Sequence, residues 1–222
     1  MEKQLSAVSS QPLAIDLCCG LGGWTRGLME VGFHVIGFDI EYFAEYPGQL
    51  VIQDVRTVSG SRFRHASLIV ASPPCQEFSR HDQPWTRRYN PPPPDLSIVQ
   101  ACWRIAAEAG VPIVMENVRG AQKFIGRASI HYGSQYLWGD IPALLPIHRR
   151  TTRKNFYWWG KPGDRQADIP QKRNKESKSS RAVAERSLIP IELAKHVGRV
   201  FFPRGTLKET QCATFLSAPT TS

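Results

Sequence analysis

Leu13-Ala14-Ile15-Asp16-Leu17-Cys18-Cys19-Gly20-Leu21-Gly22-Gly23-Trp24 reads as a short buried strand, a glycine turn and the start of a helix. The first five residues are apolar but for Asp16, too short a run for a helix and rich enough for a strand buried on both faces. Three glycines within four positions then allow the tight reversal that carries a strand into a helix and lets a ligand approach the backbone.

The same grammar repeats along the chain. A helix is expected over residues 24–31, stopped by Gly32. Residues 33–38 form a second apolar run ending in Asp39, and 50–52 a third, followed by Asp54. Residues 68–71 lead into Ser72-Pro73-Pro74-Cys75-Gln76. A helix over 96–109, capped by Asp95 or Ser97 and closed by Gly110, precedes a strand over 111–115 that ends in Glu116-Asn117. An aromatic strand is expected at 155–159, and a helix with Pro190 in its first turn at 189–200. Strands alternating with helices predict an α/β fold with a doubly wound, mostly parallel sheet. Such sheets bind ligands beyond the carboxyl ends of their strands, where Gly20, Gly22, Asp39, Asp54, Cys75 and Glu116 all fall.

The 222 residues suit one domain over 1–203, with 204–222 reading as a disordered tail. Residues 161–187, poor in large apolar side chains and rich in Lys, Arg, Ser and Gln, read as a basic mobile loop. Residues 76–95, including the four prolines 91–94, read as a long loop directly after Cys75. The formal charge of +9 favours a polyanion partner. It gathers at Arg149, Arg150, Arg153 and Lys154, at Lys172, Arg173, Lys175, Lys178, Arg181 and Arg186, and at Arg80, Arg87 and Arg88 around Trp85. Arginine interleaved with aromatics suits nucleic acid. Five scattered cysteines without a CxxC pair predict neither a metal site nor a disulfide framework, and a reducing cytoplasm fits them. No apolar run approaches the roughly 18 residues of a membrane span, so no membrane partner is expected. Oligomeric state is left open, with a monomer favoured.

Two constellations carry chemistry. The glycine turn, Asp39 and Asp54 together suit an adenosine-containing cofactor, since strand-end acids bind ribose hydroxyls. Cys75, held by two rigid prolines, is placed as a nucleophile, and Glu116 ends the neighbouring strand. A thiol adds to an electron-poor ring while an acid protonates a ring nitrogen.

In this order the residues resemble the cytosine-C5 DNA methyltransferases. Asp16 to Trp24 looks like the family's first cofactor motif, with Cys18 where members carry an aromatic residue. Phe38-Asp39-Ile40 looks like the ribose-binding acid and its apolar neighbour, and Gln53-Asp54-Val55 like the acid that contacts the adenine amino group. Ser72-Pro73-Pro74-Cys75-Gln76 with Phe78-Ser79 matches the nucleophile motif, and Glu116-Asn117-Val118 the Glu-Asn-Val motif. Residues 151–157 resemble the Gln-x-Arg-x-Arg motif only at Arg153. The final Gly-Asn motif is not evident near 189–200, and only residues 161–187 stand where members carry a target-recognition domain. The chain thus looks like a compact phage- or prophage-type member.

The resemblance implies a Rossmann-like methyltransferase fold, S-adenosylmethionine as cofactor, DNA as partner and the cytoplasm of a bacterial host as location. It implies Cys75, Glu116 and Arg153 as catalytic residues. Cys18, Gly20, Leu21, Gly23, Asp39, Ile40, Asp54, Val55 and Pro74 would line the cofactor. Gln76, Ser79, Arg80, Trp85, Arg87, Arg88, Asn117, Arg149, Arg150, Lys172 and Arg173 would face DNA. Two other functions stay open: the same chemistry on single-stranded DNA or a free cytidine nucleotide, and a catalytically silent DNA-binding or decoy protein.

Overall fold

The computed structural model describes residues 11–82, 91–146 and 188–203. Within them β1 (Leu13–Leu17), β2 (His34–Asp39), β3 (Gln49–Ile52), β4 (Ala66–Ala71), β5 (Ile113–Asn117), β6 (Ile130–Tyr132) and β7 (Gln135–Gly139) form one sheet in the order β3-β2-β1-β4-β5-β7-β6. The first five run parallel, and β7 is antiparallel to both β5 and β6. The expected fold class therefore holds: a doubly wound, mostly parallel sheet. The β6–β7 hairpin is an addition that the sequence reading lacked.

Each inner strand buries both faces, which is why its sequence is an unbroken apolar run. On one face Ala14, Val35, Leu68, Val70, Val114 and Leu137 pack beneath α1 (Gly23–Val31) and α5 (Ile191–Phe201). On the other, Ile15, Leu17, Ile69, Ala71, Ile113 and Met115 pack beneath α3 (Ser97–Ala109) and two short 3-10 turns at Val55–Thr57 and Gly60–Phe63. The helices stop where glycine permits a left-handed residue: Gly32 closes α1 and Gly110 closes α3. A one-turn helix, α4 (Gln122–Ile125), follows β5. Asp95 meets the head of α3, its carboxylate accepting Ser97 N–H and Ser97 O–H at 2.8 Å each.

The expectation of a loop over 76–95 needs correction at its start. Residues Gln76–His81 form a helix, α2, because Phe78 is buried and Ser79 N–H bonds back to Cys75 C=O at 2.8 Å. The far end returns to it: Glu77 accepts Asp95 N–H at 2.8 Å, and the His81 ring bonds Pro92 C=O at 2.9 Å. The expected strand at 155–159, the basic stretch 161–187 and the tail from 204 lie outside the described residues.

α5 closes the fold against α1, and the contact is close. A Cβ on Gly27 would meet the Ala194 methyl and, at 2.9 and 3.0 Å, the backbone N of Lys195 and O of Ile191. Backbone cannot yield as a side-chain tip can. Gly27→Val is therefore expected to cost about 3 kcal/mol or more, read as a lowered urea midpoint with an unchanged slope. Ile141 and Leu145 approach the same cluster from the other side, and His196 bonds Leu144 C=O at 2.6 Å.

Candidate active site

β1 leaves the sheet through Cys18, the one non-glycine residue with a positive φ (56°) among the described residues. Its thiol turns into the core and hydrogen-bonds Cys102 on α3, which together with burial pushes it well above the usual thiol range. The residue expected at the cofactor thus spends its side chain on packing. The glycine turn follows, tied by Gly22 N–H to Cys19 C=O at 2.8 Å. Gly22 sits at φ 76° with Pro47 and Tyr46 against it, so no side chain fits there. Of the other expected cofactor residues, Leu21 and Val55 are buried and Gly23 abuts the Ile189 backbone.

Asp39 ends β2 and fixes the turn. One carboxylate oxygen accepts Gly20 N–H at 2.8 Å and the other Glu41 N–H at 3.1 Å. Ile40 beside it is 67% exposed, and Ile52, paired next to it at the end of β3, is 51% exposed. Asp54 heads the 3-10 turn, accepting Arg56 N–H at 2.9 Å and a guanidinium N–H at 2.6 Å, and the Arg56 hydrogen bonds hold its carboxyl below the usual carboxylate range. Two carboxylates flanking two bare apolar side chains fit a group that joins hydroxyls to a flat ring. Such a donor set matches an adenosine.

Beneath this floor lies an acid that the sequence reading left unassigned. Asp16 is 0% exposed; Thr25 donates its hydroxyl to it at 2.6 Å, and Tyr46 lies 2.6 Å beyond Thr25. Its other oxygen has no hydrogen-bond partner. Burial raises its pKa to about 8, against the pull of Thr25.

The turn that bears the thiol and the strand that ends in the acid leave the sheet side by side. β4 and β5 pair Ala71 with Met115, so the following step sets Ser72 beside Glu116. The turn after Ser72 is braced at both ends: Ser72 N–H bonds Leu17 C=O at 3.1 Å, and the Asn117 amide donates to Pro73 C=O at 3.0 Å. Half-buried Cys75 then stands at the head of α2. Burial raises the Glu116 carboxyl to about 8, while a Ser72 hydrogen bond pulls the other way. Ser72 in turn accepts the Trp24 indole N–H at 3.0 Å.

Asn117, expected at DNA, is only 1% exposed, with its oxygen on Val118 N–H. It is a brace for the proline turn. Pro74, Gln76 and Arg80 are exposed, and Ser79 is half-buried. Arg119 and Lys123 join this face, both paired with Asp82 at 2.9 and 3.5 Å. The sequence reading missed them because single basic residues carry no local signal. Trp85, Arg87, Arg88, Arg149, Arg150, Arg153, Lys172 and Arg173 lie outside the described residues.

This strand order, with an antiparallel β7, is that of a Rossmann-like sheet, and the glycine turn, the acids and the Cys75 turn gather at one edge of it. The family of C-5 cytosine-specific DNA methylases matches residues 13–125, just over half of the chain. The chain belongs to that family, whose cofactor is S-adenosylmethionine. No curated protein matches it. Among solved structures it is similar to an E. coli protein described as a DNA modification methyltransferase encoded within a prophage, at 22% identity over 52% of this chain and 34% of that one, with a TM-score of 0.39. It is also similar to the Dnmt2 methyltransferase of S. pombe, at 20% identity over 51% of this chain and 36% of that one, TM-score 0.36. A third is the Entamoeba histolytica methyltransferase EhMeth, at 18% identity over 52% and 40%, TM-score 0.39. The match thus spans between 34% and 40% of these three chains. Among the described residues, no helix is long and apolar enough to cross a membrane, and no cluster of three His, Cys, Asp or Glu side chains is placed to hold a metal ion.

Proposed function

We propose that this chain transfers a methyl group to C5 of cytosine in DNA through a covalent Cys75–C6 adduct. The observation that carries the reading is the β4–β5 register, which sets the Cys75 turn beside a glutamic acid that burial keeps protonated at neutral pH. A general acid must hold its proton at working pH, and Glu116 does.

In this reading Asp39, Ile40 and Asp54, with the backbone of the Gly20 turn, hold the cofactor. Bound S-adenosylmethionine would supply an electrophilic methyl carbon. Cys75 supplies the activation: its thiolate adds to C6, the electron pair moves into the ring, and Glu116 gives a proton to N3. C5 becomes an enamine carbon able to take the methyl group. Water then takes the C5 proton, the C5–C6 double bond re-forms and expels the thiolate, and N3 hands its proton back to Glu116, so Cys75 and Glu116 end as they began. In a duplex the base must first leave the stack, at a cost of a few kcal/mol. Gln76, Ser79 and Arg80 with the arginines around Trp85 face that base, and Arg153 contacts its O2 or a phosphate. Residues 161–187 take the place of a recognition domain within a single domain over 1–203 in the bacterial cytoplasm. Their basic side chains bind phosphates rather than read bases, so the target is short or relaxed.

The test is methyl transfer from labelled S-adenosylmethionine to duplex DNA, single-stranded DNA and dCMP in parallel. Label in 5-methylcytosine of duplex DNA is expected. Label in dCMP alone would reassign the substrate, and no label in any acceptor would overturn the reading in favour of a silent DNA-binding protein.

A further inference from the structure

We propose that Ser72 is the positioning residue for Glu116, and that Trp24 sets the direction of its hydroxyl. The inference rests on the assignment of Glu116 as the acid. Ser72 and Glu116 stand side by side at the ends of β4 and β5, two positions beyond Val70 and Val114 and so on the α1 side of the sheet. Trp24, 1% exposed and locked under that face, has a single N–H, which points to Ser72 Oγ at 3.0 Å. A serine hydroxyl has one proton and two lone pairs. With one lone pair occupied by the indole, the O–H is left to face Glu116 at the neighbouring strand end, where it draws the carboxyl down against the effect of burial. In this arrangement Ser72 would hold one carboxyl oxygen and leave the other for the ring that Cys75 attacks.

Among the described residues, no charged side chain contributes to the Glu116 shift. Glu116 pairs across β7 with Leu137, which is apolar and fully buried. Among the described residues, the titratable side chains that the strands carry on its side of the sheet include Asp16 on β1, Asp39 on β2 and Tyr132 on β6. None of them figures in the Glu116 shift, whereas Ser72 does. A hydrogen bond from Ser72 favours the charged carboxylate, so it also limits how far burial raises the acid.

The experiment follows the Glu116 carboxyl by carbon-13 NMR of glutamate-labelled protein, with Glu116→Gln assigning the signal, and pairs this with pH–rate profiles. Ser72→Ala is expected to move the Glu116 midpoint upward and to carry the alkaline limb of kcat with it. The same variant should lower kcat about 10- to 100-fold while leaving the KM for S-adenosylmethionine unchanged. Ser72→Thr, which keeps the hydroxyl, is expected to restore both. Trp24→Phe should shift the midpoint in the same direction, and Trp24→Phe with Ser72→Ala should be no worse than Ser72→Ala alone, because the indole acts through the serine. An unmoved midpoint and pH profile in Ser72→Ala, or additive losses in the double variant, would overturn the proposal. A wild-type protein that methylates nothing, yet shows the Ser72-dependent midpoint, would overturn the activity and leave the positioning contact standing. The circular dichroism melt of each variant separates a lost contact from a lost fold.

Discussion

Cys75→Ala is expected to lower methyl transfer by about 10,000-fold or more, to the background of a labelled-cofactor assay, with an unchanged melting temperature and unchanged affinity for S-adenosylmethionine. The size follows from the chemistry. C5 of cytosine gains nucleophilic character only after C6 has been attacked, so removing the thiol removes the activation and not merely one contact. The specificity follows from the geometry. The turn is held by backbone and by other side chains, through Ser72 N–H on Leu17 and the Asn117 amide on Pro73, and α2 is seated by Phe78. Deleting a half-buried sulfur leaves those supports in place. Cys75→Ser is expected to be equally inactive, since a hydroxyl is a far poorer nucleophile at neutral pH. Activity above a tenth of wild type in either variant would mean that another group attacks C6.

Asp16→Asn is expected to raise stability most at alkaline pH. The Asp16 carboxyl titrates near 8 when folded and near 3.8 when unfolded. Between those values the folded chain holds a proton that the unfolded chain has lost, so stability falls as pH rises. The slope is at most about 1.4 kcal/mol per pH unit for the group. Stability from this source is complete below pH 4 and gone above pH 8, a difference on the order of 5 kcal/mol. Asparagine copies the neutral acid: its oxygen accepts from Thr25, and its N–H takes the place of a carboxyl O–H that has no partner either. Urea midpoints at pH 5 should therefore be similar for the two proteins, and at pH 9 the variant should lead. Glu116, raised in the same sense, contributes a second slope that Asp16→Asn leaves intact. Parallel pH profiles for the two proteins would show that Asp16 is ionised in the fold.

The parallel strands were legible because burial on both faces leaves a plain mark: β1, β2, β4 and β5 are apolar runs closed by a turn or an acid. β6 and β7 carry no such mark. Ile130-His131-Tyr132 and Gln135–Gly139 mix polar and apolar residues, and become strands because β5 offers a hydrogen-bonding edge. At the site, Cys75 and Glu116 could be found from their places at strand ends. The supports around them could not. Trp24 and Ser72 lie 48 residues apart, and each alone resembles filler, an aromatic in a helix and a serine after a strand. Asn117 misled in the opposite way: next to a site acid it reads as a contact to substrate, whereas its amide is consumed by the Pro73 carbonyl. Cys18 likewise reads as part of the cofactor rim until Cys102, distant in sequence, draws its thiol inward.

The return of α5 to α1 has an implication for how such a chain can change. Leu144 and Leu145 on one side, and Ile189 and His196 on the other, are moored to the same patch of core. The described residues that flank 147–187 thus come together at one patch. The entropy of closing such an interval grows only slowly with its length, about 0.6 kcal/mol for each doubling. Selection can therefore shorten or extend such an interval at little thermodynamic expense, and a laboratory can exchange residues 161–187 for a reader of a chosen sequence while keeping Arg153 in place.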